Sequence, residues 1–241
     1  MRIAIGLSTW IVGLLVFETC AAFTFMPTDA EWNSWPPHCK AQYVLWTTVG
    51  RGSKFVNSIT EHDKIERNKW LNDGITGFHH FCAGTVYLNR SMLAQNERDR
   101  EYNLQHALDE TLYNMPGANR QSRYYPQLAT QLARILYEQE KYEEGLVVLA
   151  EAMLAQPESD VLYSAAAIIE RKLGDLEAAR KTLMKGHEAV GGRSAEINYN
   201  LGLICVELGD IEAAVEYAEA AYALGYPLEG LRTKLKNLGR M

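Results

Sequence analysis

Five side chains in the first half of the chain have the types and spacing to do chemistry: His38, Cys39, His79, His80 and Cys82. Thiolates and imidazoles are the donors of tetrahedral zinc sites, which take four ligands. His79 and Cys82 stand three residues apart and so share one face of a helix. His38 and Cys39 would complete a metal set of His38, Cys39, His79 and Cys82. They are adjacent, however, and neighbouring side chains on an extended segment point opposite ways. Cys82 with His79 would also make a thiol–base pair for nucleophilic catalysis. A Cys39–Cys82 disulfide is the third chemistry, and it would disable the other two. Outside a metal site, His79-His80 reads as a packing or hydrogen-bonding pair. Other catalytic signatures are missing. There is no Gly-x-Ser-x-Gly, Walker loop, Gly-x-Gly-x-x-Gly or His-Glu-x-x-His, and no Cys-x-x-Cys-His for haem attachment. The expectation is a chain that is not an enzyme and carries no cofactor.

The compartment bears on the cysteines. Arg2 precedes an uncharged apolar run from Ile3 to Phe17, and small residues follow at Thr19, Cys20, Ala21 and Ala22. Residues 1–22 therefore read as a secretory signal peptide cut after Ala21 or Ala22, with an uncleaved membrane anchor as the alternative. Cleavage would remove Cys20. Cys205 falls inside a helical stretch with Leu201 and Leu208 on its side and reads as a buried free thiol. Cys39 and Cys82 remain, a disulfide candidate in an oxidising envelope. Closing that loop would stabilise the fold by about 4 kcal/mol in the chain-entropy treatment.

Those residues need elements to hold them. Residues 23–74 contain Trp32, Trp35, Trp46 and Trp70, the pair Pro36-Pro37 and a Gly-Arg-Gly at 50–52. Paired prolines argue against a regular helix there, so this part reads as an irregular extension packed by its aromatics. Residues 75–116 read as a degenerate helix pair with a longer loop around Gln95, closed by Pro116-Gly117.

From Pro126 onward the chain repeats itself at a period of about 34 residues, in windows 126–159, 160–194 and 195–228. Each window has a helical stretch, a tight turn (Glu140-Lys141, Gly174-Asp175, Gly209-Asp210) and a second helical stretch. Small residues recur at Gly145, Ala179 and Ala214, and again at Ala152, Gly186 and Ala221. The third window, AEINYNLGLICVELGDIEAAVEYAEAAYALGYP, resembles the tetratricopeptide repeat. The second departs from that pattern most, with Ala166-Ala167, Glu170 and Gly191-Gly192 at marked positions. The resemblance implies an all-α fold, a solenoid of antiparallel helix pairs whose neighbours must stack to bury their apolar faces. Leu228, Leu231, Leu235 and Leu238 then form one stripe of a cap helix over residues 228–241.

The same resemblance implies a concave groove lined by the first helix of each repeat. The corresponding residues are Gln127, Thr130, Arg134 and Tyr137, then Ser164, Ile168 and Arg171, then Glu196, Tyr199, Asn200 and Leu203. Some family members clamp a peptide carboxylate with Lys and Asn. The matching positions here carry Thr130, Arg134, Ala165 and Glu196, with only Asn200 in agreement, so that clamp is not expected. Charge is uneven: 17 acidic against 8 basic residues between Pro126 and Leu228, 11 of each between Phe23 and Tyr125, and a basic tail. An acidic array excludes a nucleic-acid footprint and suits a basic partner segment. The expected function is a non-enzymatic periplasmic scaffold that binds an extended peptide or helix within an envelope assembly. Metal- or thiol-dependent activity at the His/Cys cluster and structural oligomerisation are the alternatives.

Overall fold

The computed structural model describes residues 23–240. Among them are thirteen helices and no strand. The leader or anchor expected over residues 1–22 lies outside the described residues. No described helix is long and apolar enough to cross a membrane.

The segment expected to be irregular is helical. It holds α1 (Asp29–Ser34), α2 (Pro37–Trp46), α3 (Thr48–Arg51) and α4 (Glu61–Asn72). Pro36 is the N-cap of α2 and Pro37 its first residue. An N–H at that position has no intrahelical acceptor, so a proline there starts a helix instead of breaking it. Two capping boxes fix the other starts, Thr28 with Glu31 and Thr60 with Asp63. Helix α2 buries Cys39, Ala41, Gln42, Tyr43 and Val44, nearly its full circumference, and so displays no single apolar stripe.

The tryptophans divide. Trp32, Trp35 and Trp70 are core residues, whereas Trp46 is 58% exposed. Trp70 stacks on His38 and on Tyr124, both at 4.5 Å, joining α2, α4 and the approach to the repeats. Arg90 forms a two-pronged pair with Glu31 at 2.7 and 2.8 Å and donates to the Met26 carbonyl. It thereby straps residues 23–28 across the next helix, where Phe25 is buried.

Helices α5 (His79–Leu93) and α6 (Glu97–Asn114) form the expected pair before the repeats, though only three residues separate them. The repeats follow as α7 (Tyr125–Glu138) with α8 (Tyr142–Ala155), α9 (Asp160–Lys172) with α10 (Leu176–Ala189), and α11 (Ala195–Leu208) with α12 (Ile211–Ala223). Each inter-helix turn closes with the same hydrogen bond from the residue after the left-handed position. These run from Lys141 to Leu136, Asp175 to Glu170 and Asp210 to Cys205, at 2.8–3.0 Å. Gly174 and Gly209 supply the positive φ in two of the turns; Glu140, at φ 61°, supplies it in the first.

Helix α13 (Gly230–Asn237) covers the end of the stack. Of the four-leucine stripe, Leu231 and Leu235 are buried and Leu228 and Leu238 are half-exposed, because one turn of helix reaches the stack and its ends overhang. A Cβ on Gly202 would collide first with Leu231 and then, at 3.4 Å, with the Ala214 carbonyl. The small residue expected to bring α11 and α12 together thus also seats the cap helix.

Candidate protein-binding groove

Helices α7, α9 and α11 lie side by side and form a concave face. Its main hollow has a volume of about 570 Å³. Gln127, Thr130, Arg134, Tyr137, Ile168 and Glu196 line it, together with Glu138, Val161 and Ala165. Successive positions on the exposed face of α7 recur at three- and four-residue spacing, and the opposite face carries Leu128, Leu132, Ile135 and Leu136 into the core. The lining is apolar over Val161, Ala165 and Ile168 and charged at its ends.

Five expected positions behave differently. Ser164 and Tyr199 are buried and do not face the groove. Tyr199 lies under the tail, its ring stacked on Tyr226 at 4.2 Å, and a Cβ on Gly230 would meet its hydroxyl at 2.8 Å. The chain following the last repeat folds back over that site, a long-range event that no local pattern encodes. Arg171 is bound to Glu207 across α9 and α11 through two hydrogen bonds. Its guanidinium joins the two repeats and is not free for a ligand. Asn200 and Leu203 line a separate small recess with Ile168 and Arg171. The carboxylate-clamp positions Thr130, Arg134, Ala165 and Glu196 do fall along the hollow, but they present one cation and one carboxylate rather than a cationic set.

Electrostatics single out Glu196. Burial raises its carboxyl above the usual range and Asp160 adds to the effect, while contact with Ser164 opposes it. Among the described residues neither Glu196 nor Asp160 forms an ion pair; Asp160 accepts a 2.7 Å bond from Ser194. Arg134, at the other end, donates to the Met92 sulfur at 3.3 Å.

The groove wall nearest α5 rests on a residue that the sequence did not mark. Gln131 is buried and donates to the Phe81 carbonyl at 3.0 Å and to the Thr111 hydroxyl at 2.9 Å, while its carbonyl accepts from Thr85. A polar residue on the buried side of α7 is the one signal that could have pointed to it.

The His/Cys cluster stands apart from the groove. Cys39 on α2 and Cys82 on α5 lie at disulfide distance, with Cα atoms 5.6 Å apart, and both are buried. Trp35 Nε1 donates to the Cys82 carbonyl beside them. His38 is stacked on Trp70, and burial lowers its pKa to about 4 against a small opposing effect of Glu66. His79 does not join the cysteines. It packs against Phe23 and His80, and burial, then His80, lower its pKa to about 3. His80 pairs with Glu110 at 2.6 Å. Joined as a disulfide, Cys39 and Cys82 would offer no thiolate for a Cys82–His79 nucleophile. Cys205 is the buried free thiol expected of it.

These observations define a class of protein: an all-α solenoid of stacked antiparallel helix pairs with a concave inner face. Residues 195–224 match the tetratricopeptide repeat family, covering the pair α11–α12. The chain thus carries a tetratricopeptide repeat, and α5–α10 precede it as helix pairs of the same plan. A comparison with curated proteins gives no match.

Proposed function

We propose that this chain is a non-enzymatic, exported scaffold that holds a segment of another protein in the groove between α7, α9 and α11. The observation that carries the reading is the hollow itself, with an apolar floor at Val161, Ala165 and Ile168 between an unpaired carboxylate and a cation. An extended peptide or a helix would place one or two apolar side chains on that floor. A basic side chain beside them would meet Glu196, whose carboxylate lacks a cation and sits near Asp160. The acidic balance of the repeats supports a basic partner, since opposite potentials favour encounter and register. Export and a place in an envelope assembly rest on the apolar leader and on the cysteine pair, which persists as a disulfide in an oxidising compartment.

A photo-crosslinking side chain placed at Ile168 tests the groove, with one at Leu154 on the second helix of the same stack as control. Leu154 is 87% exposed and does not line the groove. A discrete partner should be captured from Ile168 alone, and Glu196→Gln or Ile168→Asp should weaken that capture while leaving the helical content intact. Equal labelling from both positions would reject the groove as the binding surface.

A further inference from the structure

We propose that opening the Cys39–Cys82 disulfide creates a site for a thiophilic divalent cation, Zn²⁺ being the natural occupant, held by the two thiolates and a ring nitrogen of His38. The ligand atoms of these three residues lie within 4.8 Å of one another. They come from two packed elements, His38 and Cys39 from α2 and Cys82 from α5. The adjacency of His38 and Cys39 does not separate them here. The first turn of α2 curves the backbone, so consecutive side chains diverge by roughly 100° instead of opposing each other across an extended strand. All three donors are of the type zinc prefers, and His79, the fourth candidate by sequence, is not among them.

Two features prepare the site. His38 Nε2 is buried with no hydrogen-bond partner among the described residues. A polar atom in that position is either costly or reserved for a ligand. Its ring is also held, stacked on Trp70 at an interplanar angle of 17° and 6.0 Å from Phe78. Fixed ring orientation is what outer contacts provide to histidine ligands of metals.

The chemistry balances with one co-reactant, a dithiol reductant. Its thiolate attacks one cysteine sulfur, the S–S bond breaks, and two electrons leave the reductant as it closes to a cyclic disulfide. Cys39 and Cys82 are left as thiols. Binding of the cation then releases their two protons to solvent. On a tetrahedral zinc the sulfurs would stand about 3.8 Å apart and the nitrogen about 3.5 Å from each. The sulfurs must therefore separate by about 1.8 Å from their bonded distance, a side-chain adjustment on a Cα separation of 5.6 Å. The fourth position falls to water. In both redox states α2 remains tied to α5, covalently when oxidised and through the metal when reduced.

The test uses the full chain with Cys20→Ser and Cys205→Ala, so that Cys39 and Cys82 are its only thiols. Oxidised and dithiol-reduced samples, freed of reductant under anaerobic conditions, are titrated with Co²⁺ and then Zn²⁺. The reduced chain should take one equivalent, with thiolate-to-cobalt charge transfer and the strong visible bands of tetrahedral coordination; the oxidised chain should take none. His38→Phe keeps the stack on Trp70 but offers no donor, and should lower affinity by at least about tenfold. Absence of stoichiometric binding to the reduced chain, or an unchanged affinity in His38→Phe, overturns the proposal. If reduction melts the helices, circular dichroism decides: recovery of helix on adding Zn²⁺ supports the site, and no recovery overturns it.

Discussion

Replacing Gln131 by leucine should destabilise the protein by about 2 kcal/mol, and replacing Thr111 by valine in the same chain should return much of that loss. Gln131 on α7 reaches α5 through the Phe81 carbonyl and Thr85, and α6 through Thr111. Thr111 is fully buried. With leucine at 131, Thr85 keeps its own bond to the Phe81 carbonyl at 3.1 Å, but the Thr111 hydroxyl loses its donor. A buried hydroxyl left alone costs about 1–3 kcal/mol, and a lost amide bond about 0.5–1.5 kcal/mol, partly offset by burying leucine in place of an amide. Thr111→Val alone leaves Gln131 Nε2 its bond to Phe81 and should cost about 1 kcal/mol. Removing both partners leaves no orphan, so the double mutant should be more stable than the two single losses predict, by at least about 1 kcal/mol. Urea unfolding of the four proteins, read by circular dichroism, gives the cycle. Additivity within about 0.5 kcal/mol would refute the claim that this contact joins the three helices. Gly84 offers an independent probe of the same node. Its Cβ would stand 2.9 Å from Gln131 Nε2 and 3.2 Å from the Ala107 carbonyl, so Gly84→Ala should cost about 1–3 kcal/mol despite alanine's better helix propensity.

Three further outcomes are expected. Cys39→Ala with Cys82→Ala opens a loop of sequence separation 43 and should lower stability by about 4 kcal/mol, read as a drop in the denaturant midpoint; a loss under about 1 kcal/mol would remove the staple role. Glu140→Gly with Lys141→Asp gives the first turn the chemistry of the other two, relieving a left-handed glutamate and adding a helix cap of the kind Asp175 provides through Ala178 N–H. That pair should raise stability by about 1–2 kcal/mol, and a lowered melting temperature would contradict it. His79 has a folded pKa near 3 against 6.5 unfolded, so below pH 6.5 the unfolded chain takes up a proton that the folded chain refuses. Its share of stability is present above pH 6.5 and is lost at up to about 1.4 kcal/mol per pH unit as pH falls toward 3. His79→Phe should flatten the stability profile across that window, and parallel profiles for the two proteins would count against the assignment.

The C-terminal half was legible because its information is local. Each repeat writes its turn into two residues, such as Gly209 and Asp210, and its stacking face into small residues at fixed spacing. Turn geometry and close approach are properties of short stretches, and the sequence states them directly. The helices between residues 29 and 72 are hidden from the sequence for the opposite reason. Helix α2 is buried almost all round, which erases the apolar stripe, and Pro36-Pro37 reads as a break unless one knows that it falls at a helix start. Trp46 and Trp70 look alike in sequence, but only Trp70 meets His38 and Tyr124.

The sequence by itself determined the helical repeats and offered Cys39 with Cys82 as one candidate pairing, which the structure places at disulfide distance. Only the tertiary structure decided that Tyr199 is covered by the tail, that Arg171 is bound to Glu207, and that His38 rather than His79 stands with the cysteines. Those outcomes depend on which distant segments arrive at the same place. Burial, pairing and ligand geometry are set by the packing of whole helices, and no window of neighbouring residues contains it.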